Sequence, residues 1–161
     1  MIAERMKEAR DKIDSLSKNK AIKIISHFDT DGVTSAAVFS RAMRKWGKEF
    51  SLEIVKTLDE EYVNSLPEDK ILIFLDLASG SLDYLAKKKT EVFVNEHHKL
   101  MEGSKIPENV FMINPVLENE EPLSAAAICY LFAKTLNGAD RDLATLAVIG
   151  MVGDLHEKEI G

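Results

Sequence analysis

Five consecutive apolar residues, Ile71-Leu72-Ile73-Phe74-Leu75, stop abruptly at Asp76. A run this short and uniformly apolar offers no polar face to water. As a strand it has to be covered on both sides, which argues for a parallel sheet between two layers of helices.

The rest of the chain keeps the rhythm that such a sheet needs. Residues 2–17 read as an amphipathic helix, with Ile2, Met6, Ile13 and Leu16 near helical spacing. Strand patterns fall at 21–26, 50–55, 71–75, 91–94 and 110–113. Helical patterns fall at 33–46, stopped by Gly47, at 60–66, stopped by Pro67, and at 82–88. Pro122 marks the start of another at 123–136, and Asn137-Gly138 reads as its close. A last, very apolar helix is expected at 142–152, with Gly150 to Gly153 at its end. The expected fold is a three-layer α/β/α domain with a mostly parallel five-stranded sheet. The 161 residues suit one such domain, and the polar ending from Glu157 reads as a cut at a domain edge.

Polar residues begin where the strands stop. Ser26-His27-Phe28-Asp29-Thr30-Asp31-Gly32 follows the first strand, Asp76 the third, and Glu96-His97-His98 the fourth. In an open parallel sheet, the carboxyl ends of the strands are where ligands bind. Carboxylate and imidazole together suit Mn²⁺, Mg²⁺, Zn²⁺ or Fe. Read as an extended segment, His27, Asp29 and Asp31 alternate so that all three reach one volume. Gly32 reads as a sharp turn into the next helix, whose N-terminus favours a phosphate. Of four histidines, three lie at these strand ends; the fourth, His156, is two residues from Asp154.

Other chemistries find little support. There is no Walker loop or dinucleotide fingerprint, and Ser26 and Ser79 lack triad partners. Phe28, Trp46, Phe50 and Phe74 read as core, although Phe28 lies close enough to the site to contact a base. The single cysteine, Cys129, sits in an apolar stretch and reads as core in a protein of the reducing cytoplasm. No run of 18 apolar residues suggests a membrane span, and the N-terminus is too charged for a signal peptide. Glutamine is absent while Lys, Glu and Ile abound, a composition that fits a thermophilic, archaeal source. The net charge of −6 is not the footprint of a general nucleic-acid binder. Basic clusters at Lys18, Lys20 and Lys23, at Arg41, Arg44, Lys45 and Lys48, and at Lys87 to Lys89 read as solvated surfaces.

Four segments in order resemble the motifs of the DHH phosphoesterases. They are Ser-His-Phe-Asp-Thr-Asp-Gly-Val-Thr-Ser at 26–35, Phe-Leu-Asp-Leu-Ala-Ser at 74–79, Asn-Glu-His-His at 95–98 and Val-Gly-Asp at 152–154. Pro122 to Phe132 is similar to the helix start that precedes the fourth motif, and Asn114-Pro115 falls where RecJ-like members often have it. The resemblance is closest to archaeal RecJ-like nucleases, including Hef-associated and GINS-associated types.

It implies two divalent metals, Mn²⁺ first and Mg²⁺ as the alternative. His27, Asp29 and Asp76 would hold one; Asp31, Asp76, His97 and Asp154 the other, with Asp76 bridging. His98 and Gly32 would serve the phosphate, and Asp76, His97 and His98 would carry the catalysis. The family's first acid in its naming motif is Asp; here it is Glu96, which would orient a ligand histidine. The family's smaller C-terminal, DHH-associated domain has no counterpart in this sequence.

The implied activity is exonucleolytic cleavage of single-stranded DNA or RNA in replication or repair, alongside a Hef-like or GINS-like partner. The alternatives are hydrolysis of a small nucleotide, such as an oligonucleotide, cyclic dinucleotide or pyrophosphate, and a non-catalytic scaffold of the replication machinery.

Overall fold

The computed structural model describes residues 1–136 and 141–160, the last five of these as backbone only. Asn137-Gly138, read above as a helix close, lies outside the described residues, as does the side chain of His156. The elements run α1 (Ile2–Leu16), β1 (Ile22–His27), α2 (Thr30–Lys45), β2 (Phe50–Val55), α3 (Glu60–Ser65), β3 (Ile71–Leu75), α4 (Leu82–Leu85), β4 (Val92–Asn95), β5 (Val110–Ile113), a 3₁₀ turn (Pro115–Glu118), α5 (Ala125–Thr135) and α6 (Arg141–Ile160).

All five strands are parallel, in the order β2-β1-β3-β4-β5. The apolar run that demanded two covered faces sits at the centre. Ile71, Ile73 and Leu75 pack with residues of α1, α2 and α5, while Leu72 and Phe74 pack with residues of α3 and α4. All five are at most 1% exposed. Each such side chain stabilises the fold by roughly 1.5–3 kcal/mol through its burial. From β1 the chain passes outward to β2, then returns to the other side of β1 to form β3. The direction of winding therefore reverses between β1 and β3, and a crevice opens there at the carboxyl ends of the strands. Among the described residues, no helix is long and apolar enough to cross a membrane.

Four helix boundaries differ from the sequence expectation by two residues or more, three of them for a visible reason. Helix α2 starts at Thr30 rather than 33, because the Asp29 carboxylate accepts the Gly32 amide at 2.8 Å and caps it. Helix α5 starts at Ala125 rather than 123, capped by Ser124, whose hydroxyl accepts the Ala127 amide at 3.3 Å. Helix α4 is a single turn, Leu82–Leu85, not 82–88. Helix α6 does not end at residue 152 but continues to Ile160, straight through Gly150 and Gly153.

Those two glycines look like helix breakers in the sequence, but they serve close approach. A Cβ on Gly150 would lie 2.4 Å from Thr34 Oγ1, 2.5 Å from Ala126 Cβ and 2.8 Å from Asp31 Oδ1. A Cβ on Gly153 would lie 2.4 Å from Thr30 Cγ2. The missing side chains let α6 press onto the first turns of α2 and α5.

This reverses a familiar sign. Gly→Ala inside a helix ordinarily stabilises by about 1 kcal/mol. Gly150→Ala should instead destabilise by ~1–3 kcal/mol, the usual cost of overpacking. Urea unfolding of the two proteins checks it, and a stabilised variant would disprove the close crossing.

Candidate metal centre

His27 is the last residue of β1, and its Nδ1 lies 2.5 Å from Asp29 Oδ2. Asp29 is the N-cap of α2, and its other oxygen takes the Gly32 amide. Asp31 falls in the first turn of that helix, so it is not the third member of an extended alternation. It reaches the site because the helix turns its buried carboxylate toward α5. There it accepts the Ala125 amide at 2.7 Å and the Ala126 amide at 3.0 Å. The orphan amides and positive dipole end of α5 thus hold an anion, one supplied by the protein.

Gly32 stands at the sharp turn expected between β1 and the helix. It lies within α2, its amide is taken by Asp29, and a Cβ would sit 2.3 Å from the His27 carbonyl oxygen. Its smallness lets the chain fold back so tightly that His27 and Asp31 share one site.

Asp76 follows β3 in the left-handed conformation, φ 58°, which a residue with a Cβ seldom adopts. Strain of this kind collects at functional positions. The amide of Asp76 donates to the Asn95 carbonyl at 2.9 Å, which anchors it to the end of β4. Its carboxylate is buried and faces two ways: Oδ2 lies 3.9 Å from His27 Nδ1, and Oδ1 lies 3.2 Å from His97 Nε2. His97 Nε2 lies in turn 3.7 Å from Asp31 Oδ2 and 3.8 Å from Asp154 Oδ1. Helix α6 brings Asp154 in across its glycine-flattened face. Among the described residues the donors fall into three groups: His27, Asp29 and Asp76; Asp31, His97 and Asp154; and Asp76, Glu96, His97 and His98, with Asp76 in the first and third and 3.2 Å from His97 of the second.

Glu96 is buried, and its Oε2 accepts the amides of His97 at 2.6 Å and His98 at 3.1 Å. The same oxygen lies 3.0 Å from His98 Nδ1. The acid therefore orients the His98 ring and the backbone of both histidines, not the ring of His97. A side chain longer than Asp can curl back onto its own turn in this way. Asn114 completes the support: its Nδ2 donates to the His98 carbonyl at 2.8 Å, while its Oδ1 accepts the Val116 amide. In the sequence Asn114 stands out only through the family resemblance, as part of Asn114-Pro115, with no role assigned to it.

The electrostatics are those of a cation site. Burial, then the negative charges of Asp31 and Asp29, push the Asp76 carboxyl up to about 10. Burial likewise raises Asp31, against the two α5 amides that lower it. Burial and the nearby His98 lower His97. Burial alone would raise Glu96, but the His98 ring and the two amides outweigh it and hold the carboxyl at about 2. Asp76 Oδ1 and His97 Nε2 are buried and make no hydrogen bond among the described residues. Such orphans are costly unless something else satisfies them. Two donors that face each other without bonding, among clustered carboxylates and imidazoles, fit a divalent cation.

The remaining basic clusters are largely tied to acids. Lys20 pairs with Glu91, Lys23 with Glu53 and Lys48 with Asp14, each at 2.6 Å; Lys88 pairs with Glu68 at 2.8 Å. Cys129 is fully buried, and burial pushes its thiol up to about 12, so it is core, as expected.

Fold and site together define a doubly wound α/β domain with a buried carboxylate–imidazole centre at its switch point. The chain belongs to the DHH family: the model of the family's N-terminal domain matches residues 21–151. Two curated relatives are an uncharacterized protein, MJ0831, of Methanocaldococcus jannaschii and the single-stranded-DNA-specific exonuclease RecJ of Bacillus subtilis. The first is 28% identical over 84% of this chain and 33% of its own length; the second, 26% over 93% and 21%. The chain thus spans a third or less of each. Among solved structures, RecJ of Thermus thermophilus in complex with Mn²⁺ superposes with a TM-score of 0.76 at 22% identity, covering 93% of this chain and 24% of that one. CDC45 of Entamoeba histolytica also gives 0.76, at 17% identity, over 95% of this chain and 34% of that one.

The Glu96 carboxyl ordinarily titrates near 4.5 and is held at about 2 here. The folded, metal-free protein therefore gains stability from it above pH ~4.5 and loses that gain as pH falls toward 2. Glu96→Gln should flatten the fall in unfolding free energy between pH 5 and 3. Denaturant titrations across that window check it; an unchanged slope would remove Glu96 from the acid response.

Proposed function

We propose that this domain binds two divalent cations, Mn²⁺ foremost, and hydrolyses phosphodiester bonds in single-stranded nucleic acid. The observation that carries the reading is the Asp76 carboxylate, which turns one oxygen toward His27 and the other toward His97. A carboxylate so placed suits a bridge between two cations. His27, Asp29 and Asp76 would hold one, and Asp31, Asp76, His97 and Asp154 the other. Such cations supply charge neutralisation for the phosphate and activation of water near neutral pH.

The chain's own groups do the rest. Asp31 is fixed by the α5 amides, so the second cluster is preorganised without needing reorganisation as charge develops. Glu96 holds His98 at the half-exposed mouth of the site, where its ring can meet a phosphate oxygen. The ring's Nδ1 donates to Glu96, which keeps the imidazole proton and orientation defined for that contact. Burial of Asp76, Glu96 and His97 keeps bulk water from the ligands.

The relatives support this reading in kind. Bacillus subtilis RecJ is named a single-stranded-DNA-specific exonuclease, and the Thermus RecJ structure carries Mn²⁺. A replication or repair protein is proposed as partner, consistent with the resemblance to Hef-associated and GINS-associated nucleases. The likeness to CDC45 favours, as a second reading, a structural role with no cleavage. The full set of donors speaks for catalysis.

Two outcomes separate these readings. Because Asp76 is pushed up to about 10, it carries a proton in the metal-free protein at neutral pH. Cation binding must displace that proton, so apparent Mn²⁺ affinity should weaken as pH is lowered through the neutral range. Calorimetry in buffers of different ionisation enthalpy should show about one proton released per chain from this carboxyl. Asp76→Asn should raise the unfolding midpoint of the metal-free protein at neutral pH, since folding no longer has to protonate a carboxyl that is ionised in the unfolded chain. It should also abolish both the Mn²⁺-dependent thermal shift and the cleavage of end-labelled single strands. Full cleavage by the variant, or none by the parent in Mn²⁺, would overturn the assignment.

A further inference from the structure

The register of β1 and β2 pairs His27 with Val55 as the last residues of the two strands. The next residue on each chain is Phe28 and Lys56, which thus emerge side by side at the carboxyl edge of the sheet. Contrary to the core reading from sequence, Phe28 is 52% exposed. It stands edge-on to the His27 ring, with centroids 4.8 Å apart and planes at 80°. Lys56 Nζ lies 5.7 Å from the Phe28 ring centroid. Folding alone does not require this arrangement. A mostly exposed Phe gives up much of its burial energy, and an exposed cation–π contact returns only ~0.5–1 kcal/mol. Meanwhile Phe28 is braced against a ligand-type histidine, and Lys56 brings a cation to a rim crowded with carboxylates.

We propose that Phe28 and Lys56 form a nucleotide subsite. The Phe28 ring stacks on the base next to the phosphate held at the centre, and the Lys56 ammonium neutralises the neighbouring phosphate. Every base has a π face, so an aromatic platform with an adjacent cation reads a single strand with little sequence preference. A small pyrophosphate substrate has no base and would leave the Phe28 ring unused. The inference rests on the phosphodiesterase reading and narrows its substrate to a base-bearing strand. The acidic net charge of −6 fits such an arrangement, since affinity then comes from stacking and a local cation, not a broad basic face.

The test is binding of fluorescent oligothymidylate against an equally long abasic strand, by anisotropy in Ca²⁺, with the intact chain. The unmodified protein should bind the base-bearing strand more tightly. Phe28→Ala and Phe28→Leu should weaken that strand by roughly 5- to 150-fold, the size of one lost stack, and leave the abasic strand unchanged. Phe28→Leu keeps bulk against His27; Mn²⁺ affinity equal to the parent's shows that the ligand is undisturbed. Phe28→Trp should restore the preference. Lys56→Ala should weaken both strands alike and lower the log–log salt slope by about 0.7.

Photo-crosslinking of a 5-iodouracil strand should label Phe28. Equal effects of Phe28→Leu on both strands, no binding by the parent, or crosslinks only elsewhere would overturn the subsite. Mn²⁺-dependent cleavage by the parent is scored separately. Base-selective binding without cleavage defeats the phosphodiesterase reading and leaves the subsite standing. Cleavage with a Phe28-independent preference does the reverse.

Discussion

Three carboxylates, Asp29, Asp31 and Asp76, are forced together where β1 and β3 end, and their repulsion is the constraint around which the domain is organised. Burial makes it worse, which is why Asp76 holds its proton up to about pH 10 without a cation. The protein offsets part of this cost locally. Asp29 caps α2, and Asp31 takes two amides at the start of α5. Asp76 receives no such help: its Oδ1 is left without a hydrogen bond, opposite an equally unpaired His97 Nε2. The unsolved part of the electrostatics is thus concentrated at the carboxylate between the two clusters. A divalent cation on each side would resolve it.

The packing follows from the same demand. Helix α6 has to come close enough for Asp154 to reach His97, and only glycine at 150 and 153 leaves room against α2 and α5. Gly32 performs the same service between β1 and α2. The stability of the sheet, supplied by residues such as Phe74 and Ile73, supports this concentration of charge at its edge. Folding energy is gathered at the centre and spent at the rim.

Much of this was legible in the residues. The apolar run at 71–75 required two covered faces, and the order of strands and helices followed from it. Polar residues beginning at each strand end marked the edge where His27, Asp29, Asp31, Asp76 and His97 meet. Asp154 was legible only through family resemblance, because a helical pattern interrupted by two glycines reads as an ended helix. The steric reason for those glycines lies in α2 and α5, over a hundred and about twenty-five residues away in sequence, respectively. Helix starts were misplaced at 33 and 123 because caps at Asp29 and Ser124 act through side-chain bonds that hydrophobic spacing does not register. Asn114 was missed as a support because its partner is a backbone carbonyl on another strand's loop. The exposure of Phe28 was hidden because an aromatic beside a strand reads as core.

The central claim is that Asp76 stands between two cations. Anomalous diffraction from crystals of the protein soaked in Mn²⁺ tests it most directly. The account predicts two peaks per chain, one among His27, Asp29 and Asp76 and one among Asp31, Asp76, His97 and Asp154, with Asp76 touching both. A single peak that leaves Asp76 uncoordinated, or no peak at saturating Mn²⁺, would contradict it.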